Sequence, residues 1–414
     1  MILQGKNIVL GITGGIASYK AADLCSKLVQ AGAMVDVIMT EAATRFITPL
    51  PFQAITARPV SVDMFHLLRD ADMAHLSLAE RADVLVIAPA TANTIAKIAH
   101  GYADNLLTST VLATTAPLVI APAMDTDMWA NPITRENARL LRERGVAIVG
   151  PGYGRLASGR IGAGRMVSTE EILAAIRQAL GRSGPLAGFR LVVTAGGTQE
   201  PLDPVRHLTN RSSGRMGYAL AEAARDAGAQ VTLISAPTGL PPVYGVETIA
   251  VRTAEDMHRA VMERLSQTDV LIMAAAVADY RPVQQATQKI KKAEGGLVLR
   301  LERTQDILAA VTEARADKTQ PADKAHPGLV VGFAAETEKL LENAEDKLRR
   351  KKPDLLVAND VSSSDSGFEV ENNRVTLLTP DGQQESLPLM SKSEVAVRVL
   401  ERVVALWKAT HPVA

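Results

Sequence analysis

Short apolar runs alternate with amphipathic segments along the first half of the chain. Between the runs, segments such as 18–32 carry apolar residues at three- and four-residue spacing before a closing glycine, which is typical of a helix. The runs, which have the length and β-branched composition of buried strands, are 7–13, 34–40, 83–90, 117–123 and 146–151. Strands that alternate with helices predict a parallel sheet covered on both faces.

The same pattern starts again in the second half. Predicted strands, the first with a Gly-rich turn, and a polar hairpin fall at 189–203, 229–237, 269–280, 329–337, 354–360 and 368–382 (the hairpin). Gly, Ser and Pro replace the periodic pattern between Gly181 and Gly188, which indicates a boundary. The sequence therefore predicts two Rossmann-like α/β domains with mainly parallel sheets, residues 1–184 and 185–414.

Composition restricts the class of protein. The 414 residues are too many for one typical core, and 47% hydrophobic with 22% charged residues is typical of a globular protein. Equal numbers of basic and acidic residues, 45 each, argue against a nucleic-acid or membrane partner. The single cysteine, Cys25, excludes an internal disulfide framework and is expected in the core. With no signal peptide or membrane span in the pattern, we expect the cytoplasm.

Two loops have the composition of a phosphate-binding turn. GITGGIASYK (11–20) follows the first strand and opens a helix, whose N-terminus offers N–H groups to an anion. Thr13 interrupts the G-x-G-x-x-G pattern, which weakens an NAD interpretation and leaves nucleotide binding and a plain turn both open. The segment 88–107 has the same form, and Thr91, Asn93 and Thr94 either cap its helix or bind a ring edge and phosphate. Both loops are expected at the carboxyl edge of the sheet.

Two further features carry candidate chemistry. His75 begins an amphipathic segment and is either structural or a proton-exchanging group near neutral pH. In the octet PAMDTDMW (122–129), two aspartates and a tryptophan directly follow an apolar run that has the composition of a buried strand. Aspartate after a strand usually forms a turn or helix cap, so this octet alone does not decide between structure and function.

Taken together, these stretches resemble known families. GITGGIASYK, His75, PATANT (89–94) and PAMDTDMW follow the order and spacing of flavin-dependent cysteine decarboxylases. In the second half, the stretches that resemble phosphopantothenate–cysteine ligase are 193–217, 274–282, KIKK (289–292) and 332–337. The whole chain resembles the bacterial coenzyme A biosynthesis fusion of the two. The resemblance implies a flavodoxin-like flavoprotein fold followed by a ligase fold.

For the first half, the resemblance implies FMN and a decarboxylase that acts on 4'-phosphopantothenoylcysteine. Flavin oxidises the cysteinyl thiol, and the resulting thioaldehyde makes the carbanion left by CO2 loss tolerable. His75 matches the catalytic histidine, and Met124 and Arg165 are expected at the substrate. The residues expected along FMN are Gly14, Gly15, Ile16 and Ala17, Thr40 at the phosphate end, and Ala88, Pro89, Ala90, Thr91 and Asn93 near the ring.

Two positions depart from the decarboxylase pattern. Asp125 stands where the family has an asparagine that holds the substrate carboxylate, and an ionised aspartate would repel that group. Either Asp125 is protonated in the complex, or Arg160 or Arg165 offsets it, or the activity is weakened. Ser158 stands at the family's reductive-step cysteine, within the predicted flap 156–166. A serine is a poorer acid than a thiol, so another proton donor is expected.

For the second half, the resemblance implies CTP and Mg²⁺, an acyl cytidylate of 4'-phosphopantothenate, and attack by cysteine. Asp279 is expected at nucleotide and metal, Lys289 is the expected catalytic loop lysine, and Asn210 and Arg206 lie on the pantothenate side. The remaining expected CTP contacts are Met273, Ala274, Ala275, Ala276, Gln305, Asp306, Ile307, Phe333, Lys347 and Lys351. Outside this context, KIKK and 347–354 would read as solvated charge runs.

The resemblance also implies a homo-oligomer, with ligase dimers and decarboxylase trimers and a dodecamer as one candidate assembly. Three alternatives are weighed against it. The first half could be an impaired decarboxylase or a flavin-binding module beside an active ligase. A flavin prenyltransferase would lack the ligase domain, and an NAD dehydrogenase would have its glycine fingerprint.

Overall fold

Alternating strands and helices organise both halves of the chain in the computed structural model. The structure describes residues 2–64, 73–291, 297–316, 327–336, 340–360 and 370–411. The chain divides into two units, Met1–Arg182 and Ser183–Ala414, and the division falls in the Gly/Ser/Pro-rich segment. Each unit is built around its own parallel sheet.

The first unit contains a six-stranded parallel sheet with the strands in the order β3-β2-β1-β4-β5-β6. These strands are β1 (Asn7–Ile12), β2 (Met34–Met39), β3 (Val60–Ser61), β4 (Val84–Ala90), β5 (Leu118–Pro122) and β6 (Ala147–Ile148). Without the short edge strand β3, the order is that of flavodoxin, and the direction of the winding reverses between β1 and β4. Loops that follow β1 and β4 therefore leave the sheet beside each other.

Helices cover the faces of this sheet. They are a 3₁₀ turn (Ile16–Tyr19), α1 (Lys20–Gln30), α2 (Glu41–Thr44), α3 (Leu50–Thr56), α4 (Ala74–Arg81), α5 (Ala92–Ala99), α6 (Leu106–Ala113), α7 (Thr126–Ala130), α8 (Pro132–Glu143) and α9 (Thr169–Gly181). In α1, Ala21, Leu24, Cys25 and Leu28 are buried at three- and four-residue spacing, which is the amphipathic pattern of a covering helix. Cys25 is fully buried, as predicted, and burial raises the pKa of its thiol to about 11.

A two-stranded antiparallel hairpin completes the first unit. It consists of β7 (Gly152–Arg155) and β8 (Ile161–Arg165) and spans most of the predicted flap. The hairpin packs on α7, at the carboxyl edge of β5.

The second unit contains an eight-stranded sheet in the order β13-β12-β9-β14-β17-β18-β20-β21, parallel from β13 to β18 and antiparallel beyond. These strands are β9 (Arg190–Ala195), β12 (Gln230–Ser235), β13 (Glu247–Ala250), β14 (Val270–Met273), β17 (Leu329–Glu336), β18 (Leu355–Asp360), β20 (Val375–Leu378) and β21 (Gln384–Ser386). Three two-stranded ribbons accompany it: β10 (Gln199–Pro201) with β11 (His207–Thr209), β15 (Tyr280–Pro282) with β16 (Leu301–Arg303), and β19 (Asn372–Asn373) with β22 (Met390–Ser391).

Five α-helices of the second unit lie in the described residues. They are α10 (Arg215–Asp226), α11 (Ala254–Arg264), which continues as a 3₁₀ turn (Leu265–Gln267), α12 (Ile307–Ala316), α13 (Leu340–Lys351) and α14 (Lys392–Thr410). Helices α10 and α14 pack together against one face of the sheet, where Leu220, Val395 and Val399 join the buried cluster. The two-domain, mainly parallel α/β fold predicted from the sequence is confirmed.

Several predicted elements differ in their bounds, and the run 269–280, for example, forms only the four-residue strand β14. The run 146–151 forms only the two-residue strand β6, because Gly150 has a φ of +86° and Pro151 has no N–H to donate to a sheet. The predicted hairpin 368–382 is centred later, since the turn lies at 379–382 and the second strand follows it. Residues 368 and 369 of that prediction, and Lys292 of the KIKK run, lie outside the described residues.

No helix in the described ranges is long and apolar enough to cross a membrane.

The start of α10 lies directly against the end of β9, and this close approach makes a testable demand on Gly217. A Cβ at Gly217 would lie 2.5 Å from the Cβ of Ala195 and 2.8 Å from the carbonyl oxygen of Thr194. Overpacking against backbone costs about 1–3 kcal/mol, more than the roughly 1 kcal/mol that alanine gains over glycine in a helix. We expect Gly217→Ala to lower the free energy of unfolding, measured by urea denaturation, by about 1–2 kcal/mol.

Gly239→Ala is the matched control, because nothing lies within 4 Å of the Cβ it adds. The free energy of unfolding of this control should stay within about 0.5 kcal/mol of that of the parent. Equal midpoints for the two variants would contradict the close packing of α10 on β9.

Candidate active sites

In the first unit, a buried threonine joins the two candidate loops. The Thr13 hydroxyl donates to the carbonyl oxygen of Pro89 at 2.8 Å and accepts from the backbone N–H of Thr91 at 3.0 Å. Thr13 is buried at the end of β1, so the residue that breaks the glycine fingerprint is instead the link between the loops. The predicted FMN residues at 14–17 and 88–93 are thus brought to one edge.

The first loop is held in shape by a second buried hydroxyl. Ser18 donates to the carbonyl oxygens of Thr13 and Gly15 at 2.9 and 2.6 Å. Gly14 lies so close to the next loop that a Cβ would be 2.5 Å from the Cβ of Ala42. At Gly15, by contrast, an added Cβ would meet only a methyl of Thr91 at 3.9 Å. The loop is therefore fixed on its inner side and open at Gly15.

Two of the predicted cofactor residues are helix caps. Thr40 and Thr91 accept hydrogen bonds from the backbone N–H groups of Ala43 and Thr94 at 3.2 and 3.3 Å. A hydroxyl that accepts in this way can still donate its own proton. The structural and the functional interpretations of these threonines are therefore compatible, and the cap orients the hydroxyl at the sheet edge.

Asp125 caps the short helix α7 and belongs to an ion pair. One carboxylate oxygen accepts from the N–H of Asp127 at 3.3 Å, and the other accepts from the hydroxyl of Ser158 at 2.7 Å. Arg160 contacts Asp125 at 3.4 Å and also pairs closely with Asp127. The hydrogen bonds from Ser158 and Asp127, followed by the charge of Arg160, hold the pKa of the Asp125 carboxyl below its usual range.

This arrangement bears on the options for Asp125. A lowered pKa keeps the carboxyl ionised at neutral pH, and Arg160 supplies the positive charge that offsets it. Arg165 lies elsewhere on the hairpin, against Gly154, and burial, with the charge of Arg165 as the smaller cause, lowers the pKa of Lys20. Of the two arginines considered, Arg160 is the one paired with Asp125.

The hairpin closes on this corner through glycines. A Cβ at Gly162 would lie 2.5 Å from the hydroxyl of Thr126, and one at Gly164 would lie 2.3 Å from the carbonyl oxygen of Met124. The N–H of Met124 also donates to the carbonyl of Gly164 at 2.9 Å. The predicted flap residues Ser158 and Arg160 are exposed while its second strand is anchored.

His75 is the second residue of α4 and is half-buried. Helix α4, which carries His75, packs against α6. The catalytic role of His75 stays a prediction.

In the second unit, a cavity of about 860 Å³ opens at the carboxyl edge of the sheet. It collects twelve of the predicted ligase residues, which are Asn210, Met273, Ala274, Ala275, Ala276, Asp279, Gln305, Asp306, Ile307, Phe333, Lys347 and Lys351. These residues lie at the end of β14 and directly after it, within β17, after β11, at the start of α12 and on α13. Parallel strands release their chains at one edge of the sheet, which brings these segments together. Asn210 donates to the carbonyl oxygens of Ala276 and Val277 at 3.1 and 3.3 Å.

The two predicted nucleotide lysines have defined partners. Lys351 pairs with Asp306 at 2.7 Å, and Lys347 donates to the carbonyl oxygen of Phe333 at 2.8 Å. Burial acts to raise the pKa of the Asp306 carboxyl, but the hydrogen bond from Lys351 and the two lysine charges lower it overall. The segment 347–354 is thus more than a solvated charge run, since two of its lysines face the cavity.

Lys289 and Arg206 do not line this cavity, but a network joins their segments. Arg206 donates to the carbonyl of Ile290 at 2.6 Å and pairs with the buried Asp203 at 2.7 Å. Asp203 also accepts from the N–H of Ile290 at 3.1 Å. Burial opposes the ionised form of Asp203, but hydrogen bonds from Val205, Arg206 and Ile290 hold its pKa well below the usual range. Arg206 therefore anchors the loop that carries Lys289.

Sequence reasoning missed several polar residues that line the same cavity, and Lys392, Arg215 and Asn359 are three of them. Lys392 is 6% exposed, and its ammonium donates to the carbonyl of Val370 at 2.6 Å. Arg215 begins α10, and Asn359 ends β18 with 9% exposure. Arg215 lies within the stretch 193–217 but was given no role, and no motif marked Lys392 or Asn359, because these residues lie far apart along the chain and meet only through the fold.

Within the described ranges, no group of three or more His, Cys, Asp or Glu side chains could hold a metal ion. Of the two carboxylates among the described residues that line the cavity, Asp306 is paired with Lys351, which leaves Asp279 as the candidate metal ligand. A single carboxylate suits a Mg²⁺ ion that is held mainly by substrate phosphates and water.

Comparison with known proteins defines the class of this molecule. Residues 2–181 match the family model "Flavoprotein", and residues 186–406 match "DNA/pantothenate metabolism flavoprotein C-terminal domain". The chain is a flavoprotein domain joined to a domain of that second class, and each match covers one structural unit.

Full-length relatives identify the family. The chain is 45% identical over 412 residues to the coenzyme A biosynthesis bifunctional protein CoaBC of Bacillus subtilis, covering 99% of each. A solved C-terminal domain of a CoaBC protein shares 41% identity, with a TM-score of 0.45 over 55% of this chain and 99% of that one. An FMN-dependent cysteine decarboxylase, SpaF, shares 34%, with a TM-score of 0.38 over 44% of this chain and 97% of that one.

The chain belongs to the family of coenzyme A biosynthesis bifunctional proteins, CoaBC. It is accordingly a bifunctional enzyme of coenzyme A biosynthesis, with a flavoprotein decarboxylase activity and a ligase activity.

Lys392 generates a prediction about pH. Burial, and secondly the charge of Arg215, lowers the pKa of its ammonium from 10.5 to about 8. The unfolded chain holds this proton more tightly, so the folded state bears a charging cost below pH 8 that vanishes as pH rises from about 8 to 10.5. We expect the stability of the parent to rise relative to Lys392→Met across that window, measured as urea midpoints.

Lys408→Met, an exposed lysine on the same helix, should show no such window. Parallel pH curves for the parent and Lys392→Met would contradict a desolvated ammonium.

Proposed function

We propose that the second unit joins cysteine to 4'-phosphopantothenate with CTP and Mg²⁺, and that the first unit decarboxylates the 4'-phosphopantothenoylcysteine with FMN. The domains are then residues 1–184 for decarboxylation and 185–414 for ligation. The observation that carries the proposal is the single cavity that gathers twelve of the predicted ligase residues, in a chain that matches CoaBC over its full length.

Ligation requires that the acid's oxygen be made a leaving group. Attack of the carboxylate on the α-phosphate of CTP forms an acyl cytidylate and releases pyrophosphate, and the cysteine amine then displaces CMP. Negative charge grows on phosphate in the first step, so cations must be preorganised beside it. Lys347 and Lys351 supply them within the cavity, and Lys289 supplies another from the loop anchored by Arg206.

Asp279 completes the nucleotide side of the proposal. Its carboxylate lines the cavity beside Ala276, where a nucleotide-bound Mg²⁺ ion would need one protein oxygen. Asn210 fixes the opposite wall of this turn, because its amide donates to two carbonyls of the segment after β14.

The residues of the first unit fit FMN. Gly14, Gly15 and Ala17 are small, the loop is open at Gly15, and the hydroxyls of Thr40 and Thr91 are each oriented by a cap. Ile16 and Tyr19 on this rim are 63% and 61% exposed, as expected for apolar side chains that a cofactor or a second subunit covers. FMN, when bound, supplies the two-electron oxidant for the cysteinyl thiol and returns those electrons later.

The chain's own residues orient the substrate and move protons. Arg160 compensates the charge of Asp125, so the pair can hold the substrate carboxylate through the guanidinium where an asparagine would use its N–H groups. Met124 directly precedes Asp125 in the segment after β5, and Arg165 ends the second strand of the hairpin. His75 exchanges the proton, which requires that α4 of the same or a second subunit bring its imidazole to the edge.

The proposal includes a cytoplasmic homo-oligomer. Ligase dimers and decarboxylase trimers, which a dodecamer would combine, are the expected arrangement. The exposed apolar side chains Ile16 and Tyr19 beside the flavin loops support a subunit contact there.

Product masses test the two activities together. The purified chain with 4'-phosphopantothenate, cysteine, CTP and Mg²⁺ should give 4'-phosphopantetheine and CMP and should show flavin absorbance.

Lys289→Gln should stop CMP release yet decarboxylate supplied 4'-phosphopantothenoylcysteine, since Lys289 acts only in ligation. His75→Asn should keep its flavin and ligate but release no CO2.

Each variant controls for the other, because each should lose one activity and keep the second. A Lys289→Gln enzyme that releases CMP normally would remove Lys289 from the mechanism. Loss of flavin and of folding in His75→Asn would favour a structural histidine.

The reductive step gives a separate prediction. The Ser158 hydroxyl donates a hydrogen bond to the ionised carboxylate of Asp125, and neither group is a good acid at neutral pH. We therefore expect a water molecule held by this pair to protonate the product. The anaerobic product should therefore still be saturated, with only CO2 lost. Ser158→Cys should accelerate its formation, because a thiol with a pKa of about 8.5 is a better acid.

Ser158→Ala is the matched control and should slow the step without abolishing it. A stable product lighter by two further hydrogens in the parent enzyme would show that the reductive step is missing.

A further inference from the structure

The last residue of α13 is held at two points by the chain of α12. The ammonium of Lys351 pairs with the carboxylate of Asp306, directly before α12, at 2.7 Å. The backbone carbonyl oxygen of Lys351 accepts a hydrogen bond from the hydroxyl of Thr312, in the middle of α12, at 2.7 Å. Lys351 and Asp306 line the cavity of the second unit, whereas Thr312 is half-buried outside its lining. One segment thus fixes both the charged end and the backbone of a lysine proposed for the nucleotide.

The hydrogen bond from Thr312 satisfies a carbonyl at the end of a helix. The last four carbonyls of an α-helix have no partner within it, and α13 ends at Lys351. Lys352 has a φ of +44°, and its N–H donates to the carbonyl of Leu348 at 3.0 Å, so the chain leaves the helix there. The Thr312 hydroxyl also lies 3.0 Å from the carbonyl of Leu308 in its own helix, but the contact to Lys351 is the shorter one. Thr312 therefore ties the end of α13 to α12.

A bidentate ion pair holds the turn after α13. Arg315 lies one turn beyond Thr312 on α12, and its guanidinium contacts the two carboxylate oxygens of Asp354 at 2.8 and 3.3 Å. Asp354 lies between α13 and β18 and also accepts from the N–H of Val330 in β17 at 2.7 Å. The exposed fractions of the Arg315 and Asp354 side chains are 24% and 30%, so water screens this pair less than a surface pair. This end of α13 is therefore fixed to both α12 and the sheet.

Both cavity lysines of α13 depend on the position of this helix. Lys347 lies one turn before Lys351, and its ammonium donates to the carbonyl oxygen of Phe333 at 2.8 Å. A shift of α13 would carry both ammonium groups with it. A displacement of about 1 Å at a group that contacts a reacting ligand can cost on the order of 100-fold in rate. Residues that prevent such a shift can therefore act on the reaction without touching a substrate.

We propose that Thr312 and Arg315 are positioning residues for the nucleotide, which hold the end of α13 so that Lys347 and Lys351 face CTP. This inference rests on the proposed ligase function, because that function assigns the two lysines to CTP. The residues expected on the pantothenate side lie on the segment around β11 rather than on α12 or α13. Release of α13 should therefore weaken the binding of CTP and leave that of 4'-phosphopantothenate unchanged.

The test removes one hydroxyl and follows each substrate separately. Thr312→Val keeps the shape of the side chain and loses the donor, whereas Thr312→Ser keeps the donor. KM and kcat are measured from CMP release, and the Kd for CTP is measured by calorimetry on the full chain. Loss of one hydrogen bond should raise the KM and Kd for CTP about 3- to 10-fold in Thr312→Val and leave the KM for 4'-phosphopantothenate unchanged. Thr312→Ser should recover most of this loss.

Arg315→Lys gives an independent measurement. A lysine keeps the positive charge but cannot contact both carboxylate oxygens of Asp354 in the same planar geometry. The KM for CTP should rise again in this variant, and the KM for 4'-phosphopantothenate should stay that of the parent.

Thr268→Val is the matched control in the same unit. The Thr268 hydroxyl donates to the carbonyl of Arg264 at 2.7 Å, and Thr268 is buried outside the lining of the cavity. This variant should lose stability as Thr312→Val does, yet leave both KM values unchanged. An equal rise of both KM values in Thr312→Val, or an unchanged KM for CTP, would overturn the proposal.

Calorimetry separates this inference from the proposed function, because binding needs no turnover. A parent enzyme that binds CTP but fails to ligate would contradict the proposed function, and weaker CTP binding by Thr312→Val would still support the positioning role. If the parent ligates and Lys351→Met leaves the KM for CTP unchanged, the proposed function stands and the positioning role is wrong.

Discussion

Both halves of the molecule depend on a central parallel strand at which the winding of the sheet reverses. In the first half this strand is β1, paired with β2 and β4, and in the second it is β9, paired with β12 and β14. Parallel strands release their chains at one edge, so loops from sequence positions about 80 residues apart meet where no helix covers the sheet. Neither candidate site would exist without this pairing.

In both halves, the hydroxyl of a buried threonine at this edge accepts a hydrogen bond from a backbone N–H of a neighbouring loop. Thr13, at the end of β1, accepts from the N–H of Thr91, and Thr194, at the end of β9, accepts from the N–H of Ala275 at 3.1 Å. Thr198 repeats the contact with the N–H of Ala278 at 2.9 Å. Each hydroxyl satisfies a backbone donor that the end of the neighbouring strand leaves unpaired, and it fixes the spacing of two loops. These hydrogen bonds form without a ligand, and interactions that preorganise a site lower the free-energy cost of ordering it on binding.

Much of the architecture could be predicted because buried strands and helices have characteristic patterns of apolar residues in the sequence. The buried runs of β1, β4 and β9 and the three- and four-residue spacing in α1 are visible along the chain. The bounds of β6 were less accessible, since Gly150 and Pro151 stop a strand that composition alone would continue. Local pattern thus predicts elements better than it predicts where they end.

The site residues also differ in how far local sequence predicts them. Residues such as Asp279 and Thr91 sit in short motifs after strands, so order and spacing were enough to single them out. Lys392 and Asn359 sit in no motif and reach the cavity only because α14 packs on α10 and β18 lies beside β17. The Asp203 network is likewise invisible in sequence, since it consists of hydrogen bonds across 87 positions to Ile290.

Asp125 shows how a departure from a family pattern is absorbed by its surroundings. A carboxylate in place of an amide loses the N–H donors and adds a negative charge. Here the same hairpin that carries Ser158 also carries Arg160, so the hydroxyl and the guanidinium both turn toward Asp125. The hydrogen bonds that lower its pKa make the ionised state the stable one, and they also direct donors into the corner. The three side chains Asp125, Ser158 and Arg160 therefore form one hydrogen-bonded cluster, and a substitution of any member has to be interpreted with the other two.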